Sequence, residues 1–112
     1  MKIAIPTAEG KLNLHFGHCK AFSLIDVDPT TKKIVRTEEI PAPRHEPGVL
    51  PRFLGELGVD VIIAGGMGMS AQNLFSAQGI EVVIGAPSKA PHELVTEYVS
   101  GTLISGDNVC DH

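Results

Sequence analysis

The apolar positions of this chain fall into short runs separated by glycine- and proline-bearing turns. Ile3-Ala4-Ile5 is an apolar run closed by Pro6, which predicts a short buried strand. Residues 6–20 show neither a helical nor an alternating period and read as a long loop. Ala21 to Val27 is strand-like, Asp28-Pro29-Thr30-Thr31 is a turn signal, and Lys33 to Ile40 returns as the second arm of a β-hairpin. Pro41, Pro43 and Pro47 bracket a second loop. Beyond it Val49, Leu50, Phe53, Leu54 and Leu57 share one helical face, and Gly58 suits the stop. Val61 to Ala64 predicts a buried strand, and Gly65-Gly66-Met67-Gly68 leads into a helix through Ala71, Leu74 and Phe75 that Gly79 ends. Glu81 to Ile84 is the last predicted strand. A final helix opens at Pro91, turns Leu94, Val95, Tyr98 and Val99 inward, and closes at Gly101.

Alternating strands and helices imply parallel pairing through right-handed crossovers, with the hairpin contributing one antiparallel strand. The expected fold is α/β, helices on both faces of a mixed five-stranded sheet. The C-terminal ends of its parallel strands then share one edge, where ligands of open α/β sheets bind. The loops on that edge are residues 6–20, 41–48, 65–70 and 85–90. They carry His15, His18, Cys19, His45, the glycine turn and Ser88.

At 112 residues the chain suits a single domain, 1–112, with 102–112 as a polar tail. Four Phe, one Tyr and no Trp make the core aliphatic and argue against a stacking platform for single-stranded nucleic acid. The net charge of −4, with basic residues clustered only at Lys32, Lys33 and Arg36, argues against a phosphate-backbone footprint. No apolar run reaches the ~20 residues of a membrane span, and Met1 to Gly10 does not read as a signal peptide. The expected compartment is the cytoplasm, where two cysteines as far apart as Cys19 and Cys110 are more often thiols than a disulfide.

His15-Phe16-Gly17-His18-Cys19 places three soft or borderline ligands within five residues. Thiolate and imidazole suit zinc, copper or iron–sulfur centres, although no Cys-x-x-Cys is present. Cys110-Asp111-His112 is a second compact ligand pair. It follows a helix that runs away from the ligand edge, yet ten extended residues cover ~33 Å, enough to return. Gly66-Met67-Gly68-Met69-Ser70-Ala71 matches a dinucleotide-binding pattern, but the next strand ends Ile84-Gly85-Ala86 without the ribose-binding acid, so that reading fails. What remains is a glycine turn at a helix N-terminus, suited to an anion or to close strand–helix packing. Met67 and Met69 read as core or as soft contacts to a ligand, core being the commoner role of methionine. With no nucleophile elbow and no acidic pair, the sequence does not read as an enzyme.

Several segments together resemble the dinitrogenase iron–molybdenum cofactor biosynthesis family, the domain of NifX- and NafY-type proteins and of the NifB-type C-terminus. They are Met1-Lys2-Ile3-Ala4-Ile5, His15-Phe16-Gly17, Phe22-Ser23-Leu24-Ile25-Asp26, Gly58-Val59-Asp60-Val61-Ile62-Ile63, Gly65-Gly66-Met67-Gly68, Gly79-Ile80-Glu81-Val82 and Gly101-Thr102-Leu103. The resemblance implies a ribonuclease-H-like fold with strand order 3-2-1-4-5 and strand 2 antiparallel, without nuclease activity. It also implies binding and transfer of iron–molybdenum cofactor or its iron–sulfur precursors at the Phe16-Gly17 loop.

The expectation is a small carrier of an iron–sulfur or iron–molybdenum-type metallocluster. Cys19 is the principal thiolate, His18 (or His15 in its place) and His45 are nearby ligands, and Cys110 and His112 close the site. Phe16, Gly17, Gly65, Gly66 and Gly68 face the anionic cluster, and cluster donor or acceptor proteins are its partners. The alternative is a cluster-free regulatory or assembly partner acting by protein contact; a third, weaker reading is thiol chemistry at Cys19.

Overall fold

The computed structural model describes residues 1–12, 20–43 and 48–103. Its strands are β1 (Lys2–Ala8), β2 (Lys11–Leu12), β3 (Ala21–Val27), β4 (Ile34–Pro41), β5 (Val61–Ile63) and β6 (Glu81–Val83). The helices are α1 (Val49–Glu56), α2 (Met69–Ala77) and α3 (Pro91–Ser100). The sheet runs β4-β3-β1-β5-β6, with β2 paired to β1 alone. β3 is antiparallel to both β1 and β4, whereas β5 is parallel to β1 and β6 to β5.

Side-chain alternation along the strands divides the core into two layers. On one face Ala4, Phe22, Leu24 and Ile62 pack under Leu50 and Leu54 of α1 and Phe75 of α2. On the other, Ile3, Ile5, Ile25, Val61 and Ile63 meet Leu94 and Val95 of α3. Both faces of the central strands are therefore covered, as the near-continuous apolar runs of β1 and β5 require.

Two departures from the sequence reading meet at the end of β1. Pro6 does not end the first strand, which continues to Ala8 with Pro6 opposite Phe22. Met1 and Val27 exchange both backbone bonds, at 2.9 and 2.8 Å, which sets the phase of the β1–β3 ladder. Pro6 falls on a position whose backbone faces away from β3 and lies past Ala4, the last β1 residue paired with β5, so its missing N–H breaks no ladder bond. The chain then reverses through Glu9 and Gly10, at φ 56° and 80°, into β2. Positive φ at both central residues is the two-residue hairpin turn that matches strand twist. The sheet thus has six strands where five were expected, and part of the predicted 6–20 loop is strand.

At the opposite edge, where parallel strands begin, the Tyr98 hydroxyl donates to Glu81 Oε2 at 2.8 Å. Partial burial, then the bond to and charge of Glu81, push the Tyr98 phenol up from 10.0 to about 12. A raised folded-state value favours the protonated form, so the contribution is intact below pH 10 and disappears as pH rises toward about 12. Thermal melting across this range should show the wild type losing more stability than Tyr98→Phe, which has no phenol to ionise. Parallel alkaline curves would contradict the assignment.

Candidate functional site

Parallel pairing sends the C-terminal ends of β1, β4, β5 and β6 to one edge, and the following helices begin there. Backbone bonds tie the loops of this edge together. Leu12 N–H donates to the Lys89 carbonyl at 3.0 Å, and Ser88 Oγ donates to the Leu12 carbonyl at 2.9 Å. Lys20 N–H donates to the Thr7 carbonyl at 3.1 Å, and Ala42 N–H to the Lys20 carbonyl at 3.0 Å. Leu12 therefore stands beside the β6–α3 loop and Lys20 beside the start of the β4–α1 connection.

His15, Phe16, Gly17, His18 and Cys19 lie in residues 13–19, His45 in 44–47, and Cys110 and His112 in 104–112, all outside the described residues. The anchors of the first two segments are adjacent through the Ala42–Lys20 bond. The third starts elsewhere. Gly101 at φ 76° ends α3, and the N–H groups of Thr102 and Leu103 both donate to the Glu97 carbonyl, at 2.8 and 3.1 Å. Leu103, the last described residue, packs into the α3-side core at the α3 end marked by the Tyr98–Glu81 bond, opposite the loop edge.

The glycine turn is where the sequence placed it, between β5 and α2. Gly65 and Gly66 are buried and Gly68 is exposed. The Gly65 carbonyl accepts from Gly85 N–H at 2.9 Å, extending the β5–β6 pairing into the turn. Met67 is buried in the core as expected, and its carbonyl accepts from Gln72 Nε2 at 2.8 Å. Met69 is 68% exposed at the first position of α2, contrary to the core expectation. A first-turn side chain projects toward the open end of its helix, away from the packed α1–α2 layer. His92 is a further exposed imidazole on this edge, in the first turn of α3, that sequence reasoning passed over. No local signal marks it; only the direction of α3 brings it to this edge.

Electrostatically the edge favours anions. The N-caps Gly48, Gly68 and Ala90 make no side-chain capping bond, and no acidic residue occupies the first turn of α1 or α2. The N-termini of α1 and α2 thus present partial positive charge on the same side of the sheet, whereas Glu93 in the first turn of α3 offsets the charge there. Among the described residues no three His, Cys, Asp or Glu side chains group to hold a metal, and no helix is long and apolar enough to cross a membrane.

Gly85 at φ 79° holds the bond to Gly65, a conformation costly for any residue with a Cβ. Gly85→Ala should cost about 1–2 kcal/mol in denaturant unfolding. Gly68, at φ −64° with open space around an added Cβ, should cost less than about 1 kcal/mol as Ala. Equal losses would show that the turn does not depend on the left-handed residue.

Comparison with known proteins agrees with this architecture. The solved structure of PH0822 superposes with a TM-score of 0.88 at 24% identity, covering 100% of both chains. The apo form of the orange protein from Desulfovibrio gigas gives 0.70 at 21% identity, covering 96% of this chain and 93% of that one. The uncharacterized protein MJ0580 of Methanocaldococcus jannaschii is 31% identical over 85 residues, 73% of this chain and 72% of its own. The family model for dinitrogenase iron–molybdenum cofactor proteins matches residues 1–101, and the chain belongs to that family.

Proposed function

We propose that this protein binds an iron–sulfur or iron–molybdenum-type metallocluster, or its precursor, as cargo at the loop edge and passes it to an acceptor protein. The observation that carries the reading is the Ala42–Lys20 bond. It ties the roots of the two histidine-bearing segments together on the edge where the N-termini of α1 and α2, free of first-turn acids, favour an anion. Family membership supports a cofactor-binding role, and one structural neighbour is described as an orange protein in an apo form. The order β4-β3-β1-β5-β6 supports reading the sheet as ribonuclease-H-like, here as a scaffold without nuclease chemistry.

In this reading Cys19 supplies the principal thiolate, with His18 or His15 and His45 beside it. Phe16 and Gly17 shape the loop, and Gly65, Gly66 and Gly68 form the floor. Cys110 lies seven residues past Leu103, or roughly 23 Å of extended chain. α3 spans the two edges in ten residues, or roughly 15 Å, and that extended length is therefore enough for Cys110 and His112 to reach the loop edge of their own chain. A cytoplasmic, non-enzymatic carrier is the role that fits.

The test is anaerobic reconstitution with iron, sulfide and molybdate, read by visible absorption and metal analysis. The wild type should take up a stoichiometric chromophore. Cys19→Ala should lose it by about tenfold or more while melting at an unchanged temperature, as the ligand role assigned to this thiolate requires. Undiminished loading of Cys19→Ala would overturn the ligand assignment.

A further inference from the structure

β4 closes one side of the sheet. It pairs with β3, and among the described residues no strand flanks its outer side. Ile34 to Glu39 are all exposed, including Val35 at 66%. The ladder phase set by Met1 and Val27 turns the backbone groups of odd-numbered β3 residues to β1 and those of even-numbered ones to β4. Phe22, Leu24 and Asp26 therefore face Ile40, Glu38 and Arg36 as bonded pairs. The N–H and C=O groups of Thr37 and Glu39 point outward, as on an unpaired edge.

We propose that this edge pairs with a second copy of the same chain, β4 antiparallel to β4, in a register centred on Thr37. A two-fold axis normal to the sheet keeps every side chain on its own face, so the symmetric register is centred on one residue. Centring on Arg36, Glu38 or Glu39 sets that charge against itself, which is destabilising. Centring on Thr37 sets Arg36 opposite Glu38 of the second copy and Glu38 opposite its Arg36. Two ion pairs then flank a Thr–Thr pair, and the outward groups of Thr37 bond each other. Within one chain Arg36 Nη2 and Glu38 Oε2 are already 3.2 Å apart, on the same face, with side chains 69% and 47% exposed.

The ladder is short. A register shift at Asp26/Val27 interrupts it before Arg36, and Pro41, without an N–H, bounds it at the other end. The association is therefore weak and reversible, at the low end of interface sizes. The two loop edges lie at opposite ends of the joined sheet, so each copy keeps its own edge open whatever it carries.

Sedimentation of the full chain from about 1 μM to about 1 mM should show a dimer fraction that rises with concentration. Arg36→Glu and Glu38→Arg should each weaken dimerisation about tenfold or more by placing like charges opposite. The double swap Arg36→Glu/Glu38→Arg should restore it. Both positions lie on the exposed edge, and unchanged circular dichroism confirms that the three variants fold. A chain that stays monomeric throughout, single reversals that leave the dimer intact, or a double swap that fails to rescue it would overturn the proposal.

Discussion

β1 is the strand on which the other elements depend. It is hydrogen-bonded to β3 on one side and to β5 and β2 on the other, and Ile3, Ala4 and Ile5 are fully buried between the two helical layers. Its parallel pairing with β5 fixes the direction of the crossover helices, since a parallel neighbour is reached only by crossing a face of the sheet. That constraint delivers the ends of β1, β5 and β6 and the starts of α2 and α3 to one edge. The antiparallel β3 returns the chain so that β4 ends there too. A polar edge over an apolar double core follows from a connection rule, and the site inherits its position from it.

The core was legible because its signals are local. Apolar runs with glycine stops located β3, β5, β6 and all three helices within a residue or two, and Phe75, Leu94 and Val95 are buried where their spacing put them. The misses lie where a residue's meaning depends on its neighbours across the sheet. Pro6 reads as a strand terminator, yet its effect depends on which way the missing N–H points, and the pairing phase alone determines that. The Glu9–Gly10 turn carries Glu where Asn or Asp is the usual signal, so the β1–β2 hairpin was read as loop.

The candidate site divides in the same way. The glycine turn was legible from its position between an apolar run and a helical period, and it stands where expected. Met69 departs from the core reading because the apolarity of methionine does not say whether another element covers it at the start of α2. His92 was passed over because a lone imidazole in a helix has no local signature, and only the helix direction brings it to the edge. The ligand-rich stretches around Cys19, His45 and Cys110 lie outside the described residues, but their roots do not. The roots of the first two are joined by a backbone bond, whereas the third begins across the molecule.

The central claim is that an anionic metallocluster sits on the loop edge, among helix N-termini and above the glycine turn. Amide NMR spectra of the chain before and after anaerobic cluster loading measure this directly, because a paramagnetic centre broadens nearby resonances most strongly. The account predicts loss of signals at Lys20, Ala42, Gly65 to Gly68 and Ala90, with Asp60, Gly79 and Tyr98 at the opposite edge unaffected. Broadening centred on Asp60, Gly79 and Tyr98, or spread evenly over both edges, would contradict it.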